Sequence, residues 1–213
     1  MSSRVVLATR NAGKLQELAP MLRAAGLEPV GLATLGIAES AAEDDLERFG
    51  TFEKNALAKA RYFAALTGGL PVVADDSGLA VDALGGAPGV RSKRWSGRAD
   101  LAGRALDEAN NARLLAELEA AGAAEMGAAF VCAAAWVEGA RALGRELVRR
   151  GEVRGRIVRA PRGSQGFGYD PHFEAEELGR TLAESSREEK AAISHRGRAV
   201  RALLAALREA GAL

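Results

Sequence analysis

Cysteine occurs once in this 213-residue chain, as Cys132. No internal disulfide can form, and such sparing use fits a reducing compartment. Cys132 lies in the apolar run 128–137 and is expected to be an inert core residue. Histidine occurs twice, as His172 and His195, too few for a histidine-rich zinc site. Neither sign of charge prevails. The 29 Lys and Arg against 28 Asp and Glu leave a net charge of +1, which implies no dominant basic face for nucleic acid. No uninterrupted apolar run reaches membrane-spanning length, and the first one, 5–8, is too short for a secretory signal. A soluble cytoplasmic protein is expected, without a nucleic-acid or membrane partner. There is no internal repeat, and the abundant alanine is interleaved with charge, so it reads as helix and not as low-complexity disorder. The Walker A pattern is missing as well.

What is present is a hydrophobic content of 48%, enough for a sizeable core. The length suits one domain, or one core with a smaller lobe. Residues 5–8 read as a buried strand that turns through Thr9 and Lys14 into a helix. Leu15, Leu18 and Leu22 give that helix one apolar face, and Gly26 ends it. A second strand is expected at 28–32. The acidic segment 33–50 reads as a loop or a broken helix. A helix over 51–66 follows, with Thr51 as N-cap and Phe52, Ala56, Ala60 and Phe63 on one face. Further strands are expected at 70–74, 128–137 and 153–158, with 141–149 returning beside the second of these. A tight turn is expected at 85–89, a helix at 101–121, a glycine-rich loop at 161–171, and a last helix at 188–210 broken near 194–197. Strands alternating with long helices make this an α/β chain, and the strand-rich middle makes its sheet mixed.

Four clusters carry chemistry. The first is Asp75, Asp76 and Ser77, which directly follow an apolar strand. Carboxylates placed so can hold Mg²⁺ and orient water near a phosphate, although neighbouring strand residues point to opposite faces. The second is Thr9, Asn11 and Lys14 at the start of a helix. It fits an anion, or, as the more ordinary reading, capping with a solvent lysine. The third is Gly166, Phe167, Gly168, Tyr169 and Asp170. Its rings offer flat faces for a base and Asp170 offers an acceptor, or the rings plug the core. The fourth pairs Glu188, Glu189 and Lys190 with Ser194, His195 and Arg196. Lys190 and Arg196 are six residues apart, so only a helix break brings them together. Lys93, Arg94 and Trp95 form a smaller patch that suits a nucleotide, a partner subunit or an exposed loop.

In order and spacing these clusters resemble the inosine/xanthosine triphosphate pyrophosphatase family over nearly the whole chain. The resemblance rests on Thr9-Arg10-Asn11-Ala12-Gly13-Lys14, Thr51-Phe52 with Asn55-Ala56 and Lys59-Ala60, and Ala74-Asp75-Asp76-Ser77-Gly78-Leu79. It continues in Gly85-Gly86-Ala87-Pro88-Gly89-Val90, Gly166-Phe167-Gly168-Tyr169-Asp170-Pro171, Glu189-Lys190 and Ser194-His195-Arg196. It implies one α/β domain over 1–213, with an elongated mixed β-sheet flanked by helices and a nucleotide cleft between two lobes, usually as a homodimer. It implies Mg²⁺-dependent hydrolysis of ITP, dITP and XTP to monophosphate and pyrophosphate, which removes deaminated purine nucleotides before polymerases use them. Asp76 would then be the catalytic carboxylate, near the metal. Thr9, Arg10, Asn11, Ala12, Gly13 and Lys14 would hold the triphosphate, and Ser77 would touch substrate. Phe167, Gly168, Tyr169 and Asp170 would line the base pocket, completed by Lys190, His195 and Arg196.

Three positions depart from the family pattern. An ungapped alignment sets Leu46 where a metal-binding Glu is usual, so Glu47, Asp45 or Glu43 is left to supply that ligand, Glu47 ahead of the others. Lys54 precedes Asn55 where Glu is usual, and Ser185 follows Ala183-Glu184 where Leu is common. Two other functions stay compatible with the sequence: a pyrophosphatase of broader nucleotide range, and a nucleotide-binding module without turnover.

Overall fold

The structure is a computed structural model that describes residues 3–139 and 144–213. Its described residues form five longer helices and seven strands, which alternate only as far as the fourth strand. The order is β1 (Ser3–Leu7), α1 (Ala12–Ala24), β2 (Leu27–Gly31), α2 (Phe52–Leu66), β3 (Val72–Val81), α3 (Gly103–Ala120), β4 (Gly127–Val137), β5 (Glu146–Ile157), β6 (Phe173–Ala175), β7 (Arg180–Thr181), α4 (Arg187–Ile193) and α5 (His195–Glu209). The strands hydrogen-bond in the order β2-β1-β3-β4-β5-β6-β7. β1 runs parallel to β2 and β3, whereas β6 runs antiparallel to β5 and β7. The sheet is therefore mixed, as the sequence implies.

The chain divides into two compact units. The first comprises residues 1–76, 132–151 and 196–213. Its core gathers Val5 and Leu7 of β1, Leu18 and Leu22 of α1, Val73 of β3, Cys132, Ala134 and Trp136 of β4, and Val200, Leu203 and Leu207 of α5. The spacing of Leu18 and Leu22 and of Val200, Leu203 and Leu207 brings each set onto one helix face. In β4 the alternate residues 132, 134 and 136 reach this core, the period of a strand. α2 begins where expected, with Thr51 accepting Lys54 N–H at its N-cap, and it buries Phe52, Ala56, Ala60 and Phe63.

The second unit comprises residues 77–131 and 152–195. Its core holds Leu79 and Val81 of β3, Leu114 and Leu118 of α3, Ala128 and Phe130 of β4, Val153 and Ile157 of β5, and Phe173 of β6. In β5 Val153, Gly155 and Ile157 face inward while Arg154 and Arg156 face out.

Two expectations are corrected. The strand expected at 70–74 runs to Val81, so Asp75 and Asp76 lie inside a strand and Ser77-Gly78 is no turn. A Cβ on Gly78 would stand 2.4 Å from Ser92 Oγ, and that hydroxyl takes the Leu79 N–H at 2.8 Å. The glycine is there for close approach and not for bending. The return strand expected at 141–149 falls partly on 141–143, outside the described residues. From Glu146 it continues without a break into the strand expected at 153–158, because Arg149, Arg150 and Gly151 interrupt its apolar pattern but not its backbone. The short strands β6 and β7 carry too few residues for a sequence signal. The last helical segment does break, and at one residue: Ser194 ends α4, and α5 starts at His195.

Candidate active site

β1 and β3 run in parallel, with Leu7 opposite Val73 and Ala8 N–H donating to Val73 O at 2.8 Å. This register sets the start of α1 beside the carboxylates of β3. Lys14 Nζ reaches Asp75 Oδ2 at 2.8 Å. The Arg196 guanidinium lies 3.6 Å from the same oxygen and also donates to Glu17 at 2.8 Å. Asp75 is 1% exposed, and its Oδ1 has no hydrogen-bond partner. Burial pushes the Asp75 carboxyl up, but Lys14, Arg196 and Lys59 outweigh it and hold it below the usual range.

Asp76 behaves in the opposite way. It is buried, and Asn55 Nδ2 of α2 donates to its Oδ2 at 2.9 Å. Burial and, next, the charge of Glu47 push it up to about 6. A carboxylate poised there is largely ionised at neutral pH and still an effective proton acceptor. The two adjacent carboxyls are thus shifted in opposite directions, as expected of side chains on opposite faces of a strand.

The acidic segment before α2 sorts its candidate ligands. Ser40 and Glu43 form a capping box on the short 3-10 turn 41–45. Glu43 is also gripped by Arg10, whose nitrogens donate to both carboxylate oxygens at 2.7 and 3.1 Å and to the carbonyls of Ile37 and Ala38 at 2.9 Å. Asp45 is exposed and lies 3.9 Å from Arg48. The charge of Glu47 acts on Asp76, and Lys59 Nζ pairs with Glu47 while donating to the Asp75 carbonyl at 3.0 Å. Among the described residues no three His, Cys, Asp or Glu side chains gather to hold a metal. Asp76 and Glu47, whose charges act on one another, are hard carboxylates that fit Mg²⁺, which commonly takes one or two carboxylates and completes its shell with water and phosphate oxygens.

Of the residues predicted to hold phosphates, Thr9 Oγ1 accepts Asn11 N–H at 3.1 Å, and Asn11 Oδ1 caps α1 by accepting Lys14 N–H at 3.1 Å. Ala12 and Gly13 open the helix at the surface. Arg10 turns to the acidic segment, as described.

In the second unit the glycine-rich loop leaves Phe167 49% exposed while Tyr169 and Asp170 are buried. Tyr169 donates its hydroxyl to Ser92 O at 2.8 Å, so of the two rings only Phe167 offers an open face. Asp170 Oδ2 accepts Phe167 N–H at 2.9 Å and pairs with Lys190, whose Nζ stands 5.1 Å from the Phe167 ring centroid. His195 is buried, its ring stacked on Phe130 at 5.1 Å. Ser77 is half-buried on β3. Lys190 meets Asp170, and Arg196 meets Glu17 and Asp75. Trp95 of the small basic patch is buried between Arg113 and Arg91, whose guanidinium carbons lie 4.5 and 5.2 Å from its ring.

Sequence reasoning passed over Asn55 and Lys59, although both stand in the motif around Thr51-Phe52. A polar residue at a position one step before the apolar Ala56 was the available signal for Asn55. For Lys59 it was a charge beside the buried Ala60.

The fold and these side chains together describe an α/β enzyme with a mixed, helix-flanked sheet and a buried carboxylate pair on a central strand. The sequence model of the Ham1 family matches residues 5–206, and the chain belongs to that family. A dITP/XTP pyrophosphatase of Frankia alni is 55% identical over 206 residues, 97% of this chain and 98% of that protein. One of Yersinia pseudotuberculosis is 48% identical over 207 residues, 97% of this chain and 99% of that protein. Among solved structures, a HAM1 protein from Coxiella burnetii superposes with a TM-score of 0.84 at 39% identity, over 97% of this chain and 99% of that one. The expected fold is the fold of that structure.

Proposed function

We propose that this enzyme hydrolyses dITP, ITP and XTP to the nucleoside monophosphate and pyrophosphate, clearing deaminated purine nucleotides from the precursor pool. The observation that carries this reading is the full-length identity to dITP/XTP pyrophosphatases. The pairing of a raised Asp76 with Glu47 supports the same chemistry from within the site.

Each unit supplies its own part. In the first, Asp76 accepts a proton from the water that attacks the α-phosphorus, the bond from that phosphorus to the bridging oxygen breaks, and pyrophosphate leaves. Lys14 and the amide of Asn11 hold phosphate oxygens, with Thr9, Ala12 and Gly13 shaping the helix end around them. Glu47 and Asp76 would hold Mg²⁺, which when bound screens the phosphates and polarises the phosphoryl group. In the second unit Phe167 stacks on the purine, Lys190 and Asp170 fix the ring beside it, and Ser77 touches substrate. A keto oxygen at purine C6 accepts a hydrogen bond where an amino group would donate. His195 or Arg196 as donor therefore favours hypoxanthine and xanthine and leaves an adenine amino group unmatched. The reading includes a homodimer, residence in the cytoplasm, and one domain over 1–213.

Pyrophosphate release from ITP, dITP, XTP, ATP and GTP, with and without Mg²⁺, tests it. Metal-dependent release from the first three, with little from ATP or GTP, is expected. Equal release from all five would replace the deaminated-purine function by a broad one, and no release from folded protein would leave a binding module.

A further inference from the structure

Helix α3 grips the glycine beside the open ring by both ends of that residue's backbone. Asp107 Oδ2 accepts Gly168 N–H at 2.8 Å, and Asn111 Nδ2, one turn further on, donates to Gly168 O at 2.9 Å. Residues four apart lie on one helix face, so both side chains meet the same loop residue. A carbonyl oxygen only accepts, which fixes the orientation of the Asn111 amide. Its Oδ1 is then left buried without a hydrogen-bond partner. An orphaned acceptor is a cost that an apolar side chain of similar size would avoid. For packing alone asparagine is therefore the poorer residue at 111, and for holding the Gly168 carbonyl it is the better one.

The gripped residue sits between two rings with opposite fates. Tyr169 is buried and tied to Ser92, and Phe167 stands half in solvent. Gly168 adopts φ +64°, a backbone conformation that frees the chain to part the two rings. Left to itself such a glycine samples many conformations, and an exposed ring next to it would sample them too. Asp170 holds the Phe167 N–H from one side, and α3 holds Gly168 from the other.

We infer that Asp107 and Asn111 are positioning residues for base recognition, holding Gly168 so that the Phe167 ring is pre-organised to stack on the purine. This rests on the assignment of Phe167 to the base under Proposed function. The pair acts through the ring on nucleotide affinity and not on the phosphate chemistry. Fixing one mobile side chain beforehand changes affinity by about two- to tenfold.

The test is a double-mutant cycle on the full chain with ITP and Mg²⁺, reading KM, kcat and thermal stability for Asn111→Leu, Asp107→Ala, Phe167→Ala and the combinations. Asn111→Leu is expected to raise KM by about two- to tenfold with kcat little changed. In the Phe167→Ala background the same substitution is expected to leave KM where Phe167→Ala puts it. Asp107→Ala removes the acceptor of the Gly168 N–H and leaves Asn111 in place, so it gives the same comparison if Asn111→Leu folds poorly. Equal KM increases with and without the ring, or a fall in kcat alone, would overturn the positioning role while Phe167 keeps its own. An unchanged KM for Phe167→Ala would overturn the base assignment, and the inference with it.

Discussion

Asn55 ties Asp76 to the backbone of the acidic segment. Its Nδ2 donates to Asp76 Oδ2 and its Oδ1 accepts Phe49 N–H, both at 2.9 Å, and the residue is wholly buried. Phe49 is two residues from Glu47, so one amide bridges the chain segments that carry the two proposed Mg²⁺ ligands. Asn55→Ala removes both bonds at once, one to a buried carboxylate and one to a backbone donor. A stability loss of about 1–3 kcal/mol is expected. Turnover should fall by about 10–100-fold, the usual effect of losing a group that orients a metal ligand. Thermal melts and ITP kinetics check this, and near-normal kcat in Asn55→Ala would remove Asn55 from the orienting role.

Asp76→Asn is expected to abolish turnover while stabilising the metal-free protein above neutrality. The folded-state value of about 6 lies above the unfolded value. Such a carboxyl binds its proton more tightly when folded, so its contribution is fully present below the unfolded value and is lost as pH rises through about 6. At pH 8 the ionised Asp76 costs on the order of 3 kcal/mol, which the neutral amide does not. Melting temperatures in EDTA from pH 4 to pH 8 should converge at the acid end and separate at the alkaline end, with Asp76→Asn the higher. A lower melting temperature for the variant at pH 8 would contradict the strained carboxylate.

Asp75→Asn should do the reverse. Its carboxyl is held low by Lys14, Arg196 and Lys59 against the effect of burial, so its stabilisation is present above the unfolded value and lost as pH falls through the folded one. The variant leaves the Lys14 ammonium and the buried Arg196 guanidinium without that counter-charge, a loss of about 3–5 kcal/mol at neutral pH. Its melting temperature at pH 7 should drop well below wild type, and the gap should narrow in acid. A gap that holds constant across pH would show that the carboxylate charge is not what the two cations need.

The contrast between these neighbours marks how far the sequence could be read. Alternation along a strand says that Asp75 and Asp76 face opposite ways. It does not say which face carries Lys14 and Arg196, because Arg196 arrives from the far end of the chain. Periodicity located α1, α2, α3 and β4, whose apolar faces are regular. It ended β3 too early, since two buried aspartates read as the end of a strand until their partners on α1, α2 and α5 are known. The ring of Tyr169 and that of Phe167 are alike in sequence, and only the Tyr169–Ser92 bond separates the buried one from the open one. Motif spacing identified the family and contained Asn55 and Lys59, whereas their partners Asp76 and the Asp75 carbonyl are visible only once α2 is packed against β3.

Glu47 can be told apart from its acidic neighbours by metal titration without substrate. In wild type, Mg²⁺ should raise the melting temperature by mass action on the folded state. Glu47→Gln removes one of the two proposed Mg²⁺ carboxylates, so the Mg²⁺-induced shift should largely vanish. Lys59 loses its partner in this variant, so a lower baseline is expected and the shift, not the baseline, is the readout. Glu43→Gln weakens the Arg10 grip and the 3-10 capping box, which lowers the baseline modestly, but its carboxylate faces Arg10 and the Mg²⁺ shift should persist. Asp45 is exposed against Arg48, and Asp45→Asn should leave both baseline and shift close to wild type. A Mg²⁺ shift that survives Glu47→Gln and is lost in Glu43→Gln would move the ligand to Glu43 and require the Arg10 clamp to open when the metal binds.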